Sequence, residues 1–339
     1  MNKLRRRATG RITLDEVSAA AGVSPITASR ALRGQRSVDP ALVERVREAA
    51  ERLGYVPDPA ARALASARSS QVVVLVPMLS NALFVDLLEA VHATLLPAGY
   101  QTLIGMTHYD PAEEEQLLRG YMAHRPAGLL LTGFDRTEGS RKLIEASGVP
   151  CVHMMETAEA PGVFSVGFSQ AAAGYAMTRH LVERGRRRVM FLAAQLDPRT
   201  LQRLQGYRDA LRGAGLYDEA LELLDPRRSS MALGAALFER ALGEHGDADA
   251  LFCCNDDLAQ GALLAALRLG VSVPQRVAVA GFNDLAGSDQ MLPPLTTVHT
   301  PRVEIGQQAA AMLLRLMQGQ EVPRAAVDVG CTLVVRGST

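Results

Sequence analysis

The 339-residue chain has no tryptophan, and aromatic residues make up only 4% of it. A pocket built on ring stacking, of the kind that takes nucleosides, is therefore a poor fit to this composition. Cysteine is almost as scarce. Cys151, Cys253, Cys254 and Cys331 form no CxxC pair, and no histidine stands at metal-ligand spacing from any of them. Each falls in an apolar, strand-like run, which points to buried thiols in a reducing compartment and to neither disulfides nor a metal site. No run approaches the ~20 apolar residues of a membrane span. No apolar run separates the N-terminal arginines from Thr13, so a signal peptide is not expected either. Nucleophile elbow, glycine-rich phosphate loop and paired acid–base residues with metal ligands are all missing. His153 and His180 sit in strand-like and helical stretches, where packed histidines are commoner than catalytic ones. The expectation is a chain without enzymatic activity, cofactor, metal or membrane association, at home in the cytoplasm.

Charge is present but unevenly placed. The whole chain is neutral. Residues 1–70 hold thirteen Lys and Arg against seven Asp and Glu, about +6, which leaves about −6 on the remainder. A small basic head on an acidic body is the footprint of a nucleic-acid module joined to something else. Within that head, residues 12–34 read as two short helices around a turn. Thr13 and Glu16 have capping-box spacing, and Leu14, Val17, Ala20 and Ala21 fall on one helical face. Gly22 supplies the turn, Ser24 caps the next helix, and Pro25 takes its first position. Asp39-Pro40 opens a third helix whose buried stripe is Leu42, Val46, Ala49 and Leu53, with Gly54 ending it. The arrangement predicts a three-helix helix-turn-helix reader, an ordinary helical hairpin being the alternative. Arg5, Arg6, Arg7 and Arg11 would hold phosphates without reading sequence.

TLDEVSAAAGVSPITASRALRG, followed by VDPALVERVREAAERLGYVPDPAARALAS, resembles the head of the lactose-repressor/galactose-repressor family of bacterial transcription regulators. The resemblance extends over essentially the whole chain, and the body, above all its LDPRT segment, looks most like the gluconate-operon repressors of that family. It implies base contacts by Pro25, Ile26 and Arg30 in the major groove, with Thr27 and Ser29 on phosphates and Thr13 and Arg33 in the same DNA-contacting set. Pro25 has no polar side chain, so discrimination would lean on Arg30 toward guanine and Ile26 toward a thymine methyl. Residues 59–67, PAARALASA, resemble the family's hinge helix. Leu64 is the residue that would wedge into the minor groove, and Arg62 and Arg68 would meet the DNA backbone. Read without the resemblance, the same stretch is an Ala-rich linker.

From residue 71 apolar strands alternate with helices. Strand candidates run at 72–77, 101–106, 127–133, 150–155, 163–168, 187–194, 221–225, 250–255 and 277–282, and helices lie between them. This pattern predicts parallel sheets covered on both faces. The expected architecture is an N-terminal helix-turn-helix domain (1–57), a hinge (58–70) and an α/β two-lobed periplasmic-binding-protein-like domain (71–339). The first lobe is expected at about 71–166 and 294–322, the second at about 167–293 and 323–339.

Ligands bind beyond the carboxyl ends of strands in open parallel sheets. The polar residues there nominate an effector site: Asn81 and Phe84; Asp197, Arg199 and Arg203; Asn255 and Asp256; and Asn283. Arg199 and Arg203 lie one helical turn apart, and guanidinium forks match carboxylates and phosphates. Structural salt bridges are the competing use for both, and Asp256 and Asp257 double as helix caps. In family members that bind neutral sugars or purines, an aspartate stands at the position of Asn283. PRRSSMALG (226–234) lacks the aromatic that stacks on planar ligands. These features predict a homodimeric repressor released from a palindromic operator by a sugar acid such as gluconate, with Arg199 as its main anion contact. A neutral sugar, a nucleobase or a corepressor on the same fold is the alternative. A periplasmic sugar carrier shares the body but not the basic head. The chain's last stretch has no leucine heptads, so a dimer is expected, associated with the nucleoid.

Overall fold

The computed structural model describes residues 12–32, 38–56, 69–80 and 82–339. The chain divides at Ser69–Ser70 into two compact units. The expected contacts of Arg33, Arg62, Leu64 and Asn81 lie outside the described residues.

In the smaller unit, α1 (Leu14–Ala20) starts at a complete capping box. The Thr13 hydroxyl accepts from the Glu16 amide at 3.3 Å, and Glu16 takes the Thr13 amide at 2.8 Å. Gly22 turns the chain with φ +63°, and the Ser24 hydroxyl caps α2 (Pro25–Leu32) by accepting from the Thr27 amide at 3.1 Å. α3 (Pro40–Leu53) begins at Asp39, which accepts from Ala41 N, and ends at Gly54 in the left-handed conformation. Val17, Ala21, Ala28, Ala31, Val46, Ala49 and Ala50 form the core. Ala20, expected on the buried face of α1, is exposed. Ser18 is buried instead, because its hydroxyl is satisfied by the Asp15 carbonyl at 2.9 Å. Small residues on the inner face of α2 let it lie close to α1 and α3. Its outer face then presents Pro25, Ile26 and Arg30, all exposed, with Thr27 and Ser29 half-buried beside them.

The larger unit holds two parallel sheets. The first has the order β11-β5-β4-β3-β1-β2, with β1 Gln71–Val76, β2 Gln101–Met106, β3 Gly128–Thr132, β4 Cys151–Met155, β5 Ser165–Gly167 and β11 Ala326–Asp328. The second has the order β7-β6-β8-β9, with β6 Val189–Ala194, β7 Glu222–Asp225, β8 Ala250–Cys253 and β9 Ala278–Ala280. β1, β3 and β6 are buried almost end to end, as strands covered by helices on both faces must be. Helices α4 (Ala82–Leu95), α5 (Pro111–Met122), α6 (Glu138–Ser147) and α11 (Arg302–Met317) flank the first sheet. α7 (Gln170–Glu183), α8 (Pro198–Gly213), α9 (Met231–Glu244) and α10 (Asp256–Leu269) flank the second.

The final segment departs from expectation. Residues 323–339 do not form a single piece of the second lobe. β11 extends the edge of the first sheet beside β5, and β12 (Thr332–Val334) pairs antiparallel with β10 (Thr297–His299) in a separate ribbon. Only the end returns to the second sheet, where Val279 N donates to the Ser338 carbonyl and the Ser338 hydroxyl to Val279 O. The outer edge of β5 had an unpaired backbone ladder for β11 to fill. Cys331 accordingly lies in the turn between β11 and β12, not in a strand. All four cysteines are free, and only Cys253 and Cys254 are fully buried.

α7 and α8 approach backbone to backbone. A Cβ on Gly206 would stand 2.0 Å from the Ala171 carbonyl oxygen, and one on Gly174 2.4 Å from the Arg203 carbonyl oxygen. Neither neighbour is a flexible side-chain end, so Gly206→Ala must push the helices apart. We expect it to cost about 1–3 kcal/mol, as overpacking does, and to lower the melting temperature by several degrees. An unchanged melt would show that this helix contact is not needed.

Candidate functional site

The carboxyl ends of both sheets face one cavity of about 250 Å³ within the larger unit. In each sheet the first strand has neighbours reached in opposite directions, β2 and β3 around β1, and β7 and β8 around β6. The crevice at such a switch point is where α/β folds take ligands. Ser80 and Phe84 enter from the segment after β1, and Tyr109 from the loop after β2. Asp197, Arg199 and Arg203 follow β6, Asn255 follows β8 and Asn283 follows β9.

The two arginines have different surroundings. Arg199 is almost wholly occupied by carboxylates. Its Nη1 lies 3.2 Å from Glu156 Oε2 and 3.4 Å from Asp135 Oδ1, and its Nε lies 3.2 Å from Asp197 Oδ1. Burial opposes its charge, but these carboxylates more than offset that and raise its pKa above the usual arginine value. Arg203 is as deeply buried, yet among the described residues no carboxylate lies within ion-pairing distance of it. Its Nε donates to Gln170 Oε1 at 2.8 Å and its Nη1 to the Cys254 carbonyl at 2.6 Å. The guanidinium carbon sits 3.8 Å from the centre of the Phe282 ring. Burial lowers its pKa from the ordinary arginine value. Both arginines line the cavity; Arg199 is already paired with carboxylates, whereas Arg203 has hydrogen bonds and a ring contact but no ion pair among the described residues.

Asp197 is the N-cap of α8. It accepts from Arg199 N at 3.1 Å and from the Thr200 hydroxyl at 3.0 Å. Asn255 caps α10 by accepting from Leu258 N at 3.1 Å, while its Oδ1 also takes the Ser229 hydroxyl at 2.9 Å. Asn283 is held at φ +111°, and its Oδ1 accepts from the Thr300 hydroxyl. Asp256 does not face the cavity. Fully buried behind it, Asp256 accepts from Leu285 N at 2.7 Å, the Ser288 hydroxyl at 3.0 Å and the Thr297 hydroxyl at 2.6 Å. It is a structural tie, and its neighbour Asp257 lines the cavity in its place. One step along the first turn of α10 separates a side chain facing the cavity from one facing the crossover.

Sequence reasoning passed over Tyr109, Gln195, Ser229 and Ser230, all in the lining. Tyr109 (φ +62°) and Gln195 (φ +69°) lie in left-handed backbone at strand ends, which no periodicity announces. Gln195 Oε1 is buried and, among the described residues, has no hydrogen-bond partner. The serines replace the aromatic missing before Gly234, although Phe84 and Tyr109 bring two rings from the first lobe. The thiol of Cys254, which packs beneath Arg203, is pushed up to about 11 by burial and stays protonated at neutral pH. Among the described residues no cluster of His, Cys, Asp and Glu has the geometry to hold a metal, and no helix is long and apolar enough to cross a membrane.

Two family models match the chain. Residues 13–58 match the bacterial regulatory proteins of the lacI family, and residues 178–339 match the periplasmic binding protein-like domain. The HTH-type transcriptional regulator GntR of Pseudomonas aeruginosa is 57% identical over 338 residues, covering 100% of this chain and 98% of its own. The chain belongs to the lacI family. A lacI-family transcriptional regulator from Silicibacter pomeroyi superposes with a TM-score of 0.90 at 32% identity, covering 96% of this chain and 99% of that one. The lac repressor dimer bound to operator and the anti-inducer ONPF superposes at 0.84 and 25% identity, covering 97% and 99%. As a lacI-family member it is a DNA-binding transcriptional repressor, not an enzyme.

Proposed function

We propose that the chain is a homodimeric repressor that leaves a palindromic operator when gluconate or a close relative enters the cavity. The observation that carries the ligand is Arg203, a buried guanidinium whose neighbours are an amide, a carbonyl and a ring face and not an anion. Asp197 acts on this charge only at longer range, and a buried cation without an ion-pair partner is costly; a ligand carboxylate supplies that partner in bidentate form. Asn283, neutral and in the lining, adds no repulsion. Ser229, Ser230, Asn255, Asp257 and Gln195 offer polar groups for hydroxyls, and the cavity, at about 250 Å³, falls just below the ~300–1,000 Å³ range of ligand pockets, in keeping with a small ligand. The gluconate-operon repressors, which the LDPRT segment resembles, point the same way.

For DNA, Pro25, Ile26 and Arg30 share the exposed face of α2 that a recognition helix turns to the major groove. Twofold pairing would set two such helices on a palindrome. Val85 on α4, Ile104 and Met106 on edge strand β2, and Leu264 and Leu267 on α10 are exposed apolar side chains suited to a second copy.

The test is thermal stability against gluconate, ketogluconates, 6-phosphogluconate, neutral hexoses, ribose and purines. A ligand that binds only the folded state must raise the melting temperature. Sugar acids alone are expected to do so. A rise with neutral sugars or purines instead discards the ligand and keeps the repressor.

A further inference from the structure

Arg199 faces the cavity, but two of its ion pairs pass beside it from one lobe to the other. Asp135, in the loop after β3, and Glu156, immediately after β4, belong to the first lobe, whereas Arg199 sits on the first turn of α8 in the second. Glu156 also accepts from Gln202 Nε2 at 2.7 Å, a second bond to the same helix. Neither Asp135 nor Glu156 lines the cavity. We propose that Glu156, with Asp135, forms an interlobe latch with Arg199 and Gln202, making Arg199 a positioning residue that sets how readily the lobes hold the effector.

The junction is built from both sides. Gly133, with φ +67°, leaves the space the latch fills: a Cβ there would stand 2.3 Å from Arg199 Nη1 and 2.6 Å from Glu156 Oε2. The loop carrying Asp135 is anchored from beneath by Arg136, which donates to Glu114 at 2.8 Å, to the Gly133 carbonyl at 3.0 Å and to His153 Nδ1 at 3.1 Å. Burial, then the Arg136 charge, pushes His153 down to about 4, so the ring is neutral at neutral pH, with its Nδ1 3.1 Å from the Gly133 carbonyl as well. On the other lobe, Asp197 holds Arg199 by its Nε and caps the helix that carries it. Both halves of the latch are therefore fixed to their own lobes, and separating the lobes breaks only the bonds between them.

A ligand held between two lobes binds with its intrinsic affinity reduced by the fraction of molecules in the competent arrangement. Bonds that hold the lobes in register raise that fraction without touching the ligand. This inference rests on reading the cavity as the effector site, and the test separates the two.

Half-saturating gluconate for operator release is measured for Glu156→Ala, Glu156→Gln, Arg199→Ala and the double alanine variant. In ligand-free protein, amide hydrogen exchange is followed at residues 195–203. Glu156→Ala leaves Arg199 with Asp135 and Asp197, so no buried cation is orphaned. It is expected to raise half-saturation about tenfold and to speed exchange across the cleft. Glu156→Gln, which keeps hydrogen-bonding atoms in place, should stay within about threefold of wild type. The double variant should be no worse than Arg199→Ala alone, since both break one device. Gln202→Ala repeats the test from the other lobe should Glu156→Ala fail to fold. The latch is overturned if Glu156→Ala keeps wild-type half-saturation and exchange while Arg199→Ala alone loses the response. If wild type ignores gluconate, the ligand reading fails, and the exchange experiment still decides the latch.

Discussion

Replacing Arg203 by methionine is expected to remove the stabilisation by gluconate, with a loss of affinity of about 30-fold or more. A charge-assisted bond between a buried guanidinium and a carboxylate contributes roughly 2–5 kcal/mol when one partner is truncated, and 1.4 kcal/mol is a factor of ten. The shorter, uncharged side chain keeps the apolar stem but gives up the guanidinium that lies over the Phe282 ring. The substitution also removes a buried cation that has no ion-pair partner and feels Asp197 only at longer range, so the ligand-free melting temperature should stay level or rise. Replacing Arg199 by methionine should do the reverse to the free protein, because Asp135, Glu156 and Asp197 would lose their common cation. Calorimetry of the two variants with and without gluconate separates them. An Arg203→Met protein that binds gluconate like wild type would sink the assignment.

The second large effect is on stability. Asp256→Ala is expected to cost about 3 kcal/mol or more, because the Leu285 amide and the Ser288 and Thr297 hydroxyls all lose their acceptor in a site without water-exposed surface. The same carboxyl gives a pH signature. Burial raises Asp256 to about 6, against a normal carboxyl near 3.9 in the unfolded chain. Between about pH 4 and 6 the folded state holds a proton that the unfolded state has released. This group's contribution to stability therefore falls as pH rises through that window and is regained as pH falls. Two units correspond to at most about 3 kcal/mol. Asp256→Asn cannot titrate, so the stability of wild type relative to that variant should grow as pH is lowered from 7.5 to 5. A difference independent of pH would show that Asp256 keeps a normal carboxyl pKa.

Much of the fold was legible because its signals are periodic. The capping box at Thr13, the left-handed Gly54 and the apolar runs of β1, β3 and β6 each declare an element within a few residues. The position of the cavity was legible for the same reason, since ligands gather beyond strand ends. What each polar side chain does there was not. Asp256 and Asp257 are adjacent in an identical local pattern, and only the direction of the helix decides which one reaches the cavity. Arg199 and Arg203 share a helix face, yet two of the three carboxylates that occupy Arg199 come from residues 135 and 156, on another lobe. No sequence spacing encodes that meeting. β11 was misplaced for a similar reason: a three-residue strand can fill either sheet's edge, and only the vacancy beside β5 settles which.

The interleaving of the lobes also orders their assembly in time. The strands of the second sheet are contiguous from Val189 to Ala280, so they can associate once that stretch is available. The first sheet begins to appear at Gln71 but lacks α11 until residue 317 and β11 until residue 328. α11 is not an ornament there, because Leu313 packs against Gly128 of β3 and Gly306 lies against the Leu87 carbonyl of α4. During synthesis the earlier-made lobe is thus expected to be the later one to close, its apolar strands waiting while the second lobe folds. Chaperone dependence in the cell should accordingly track mutations in α11 more than equivalent ones in α9 or α10.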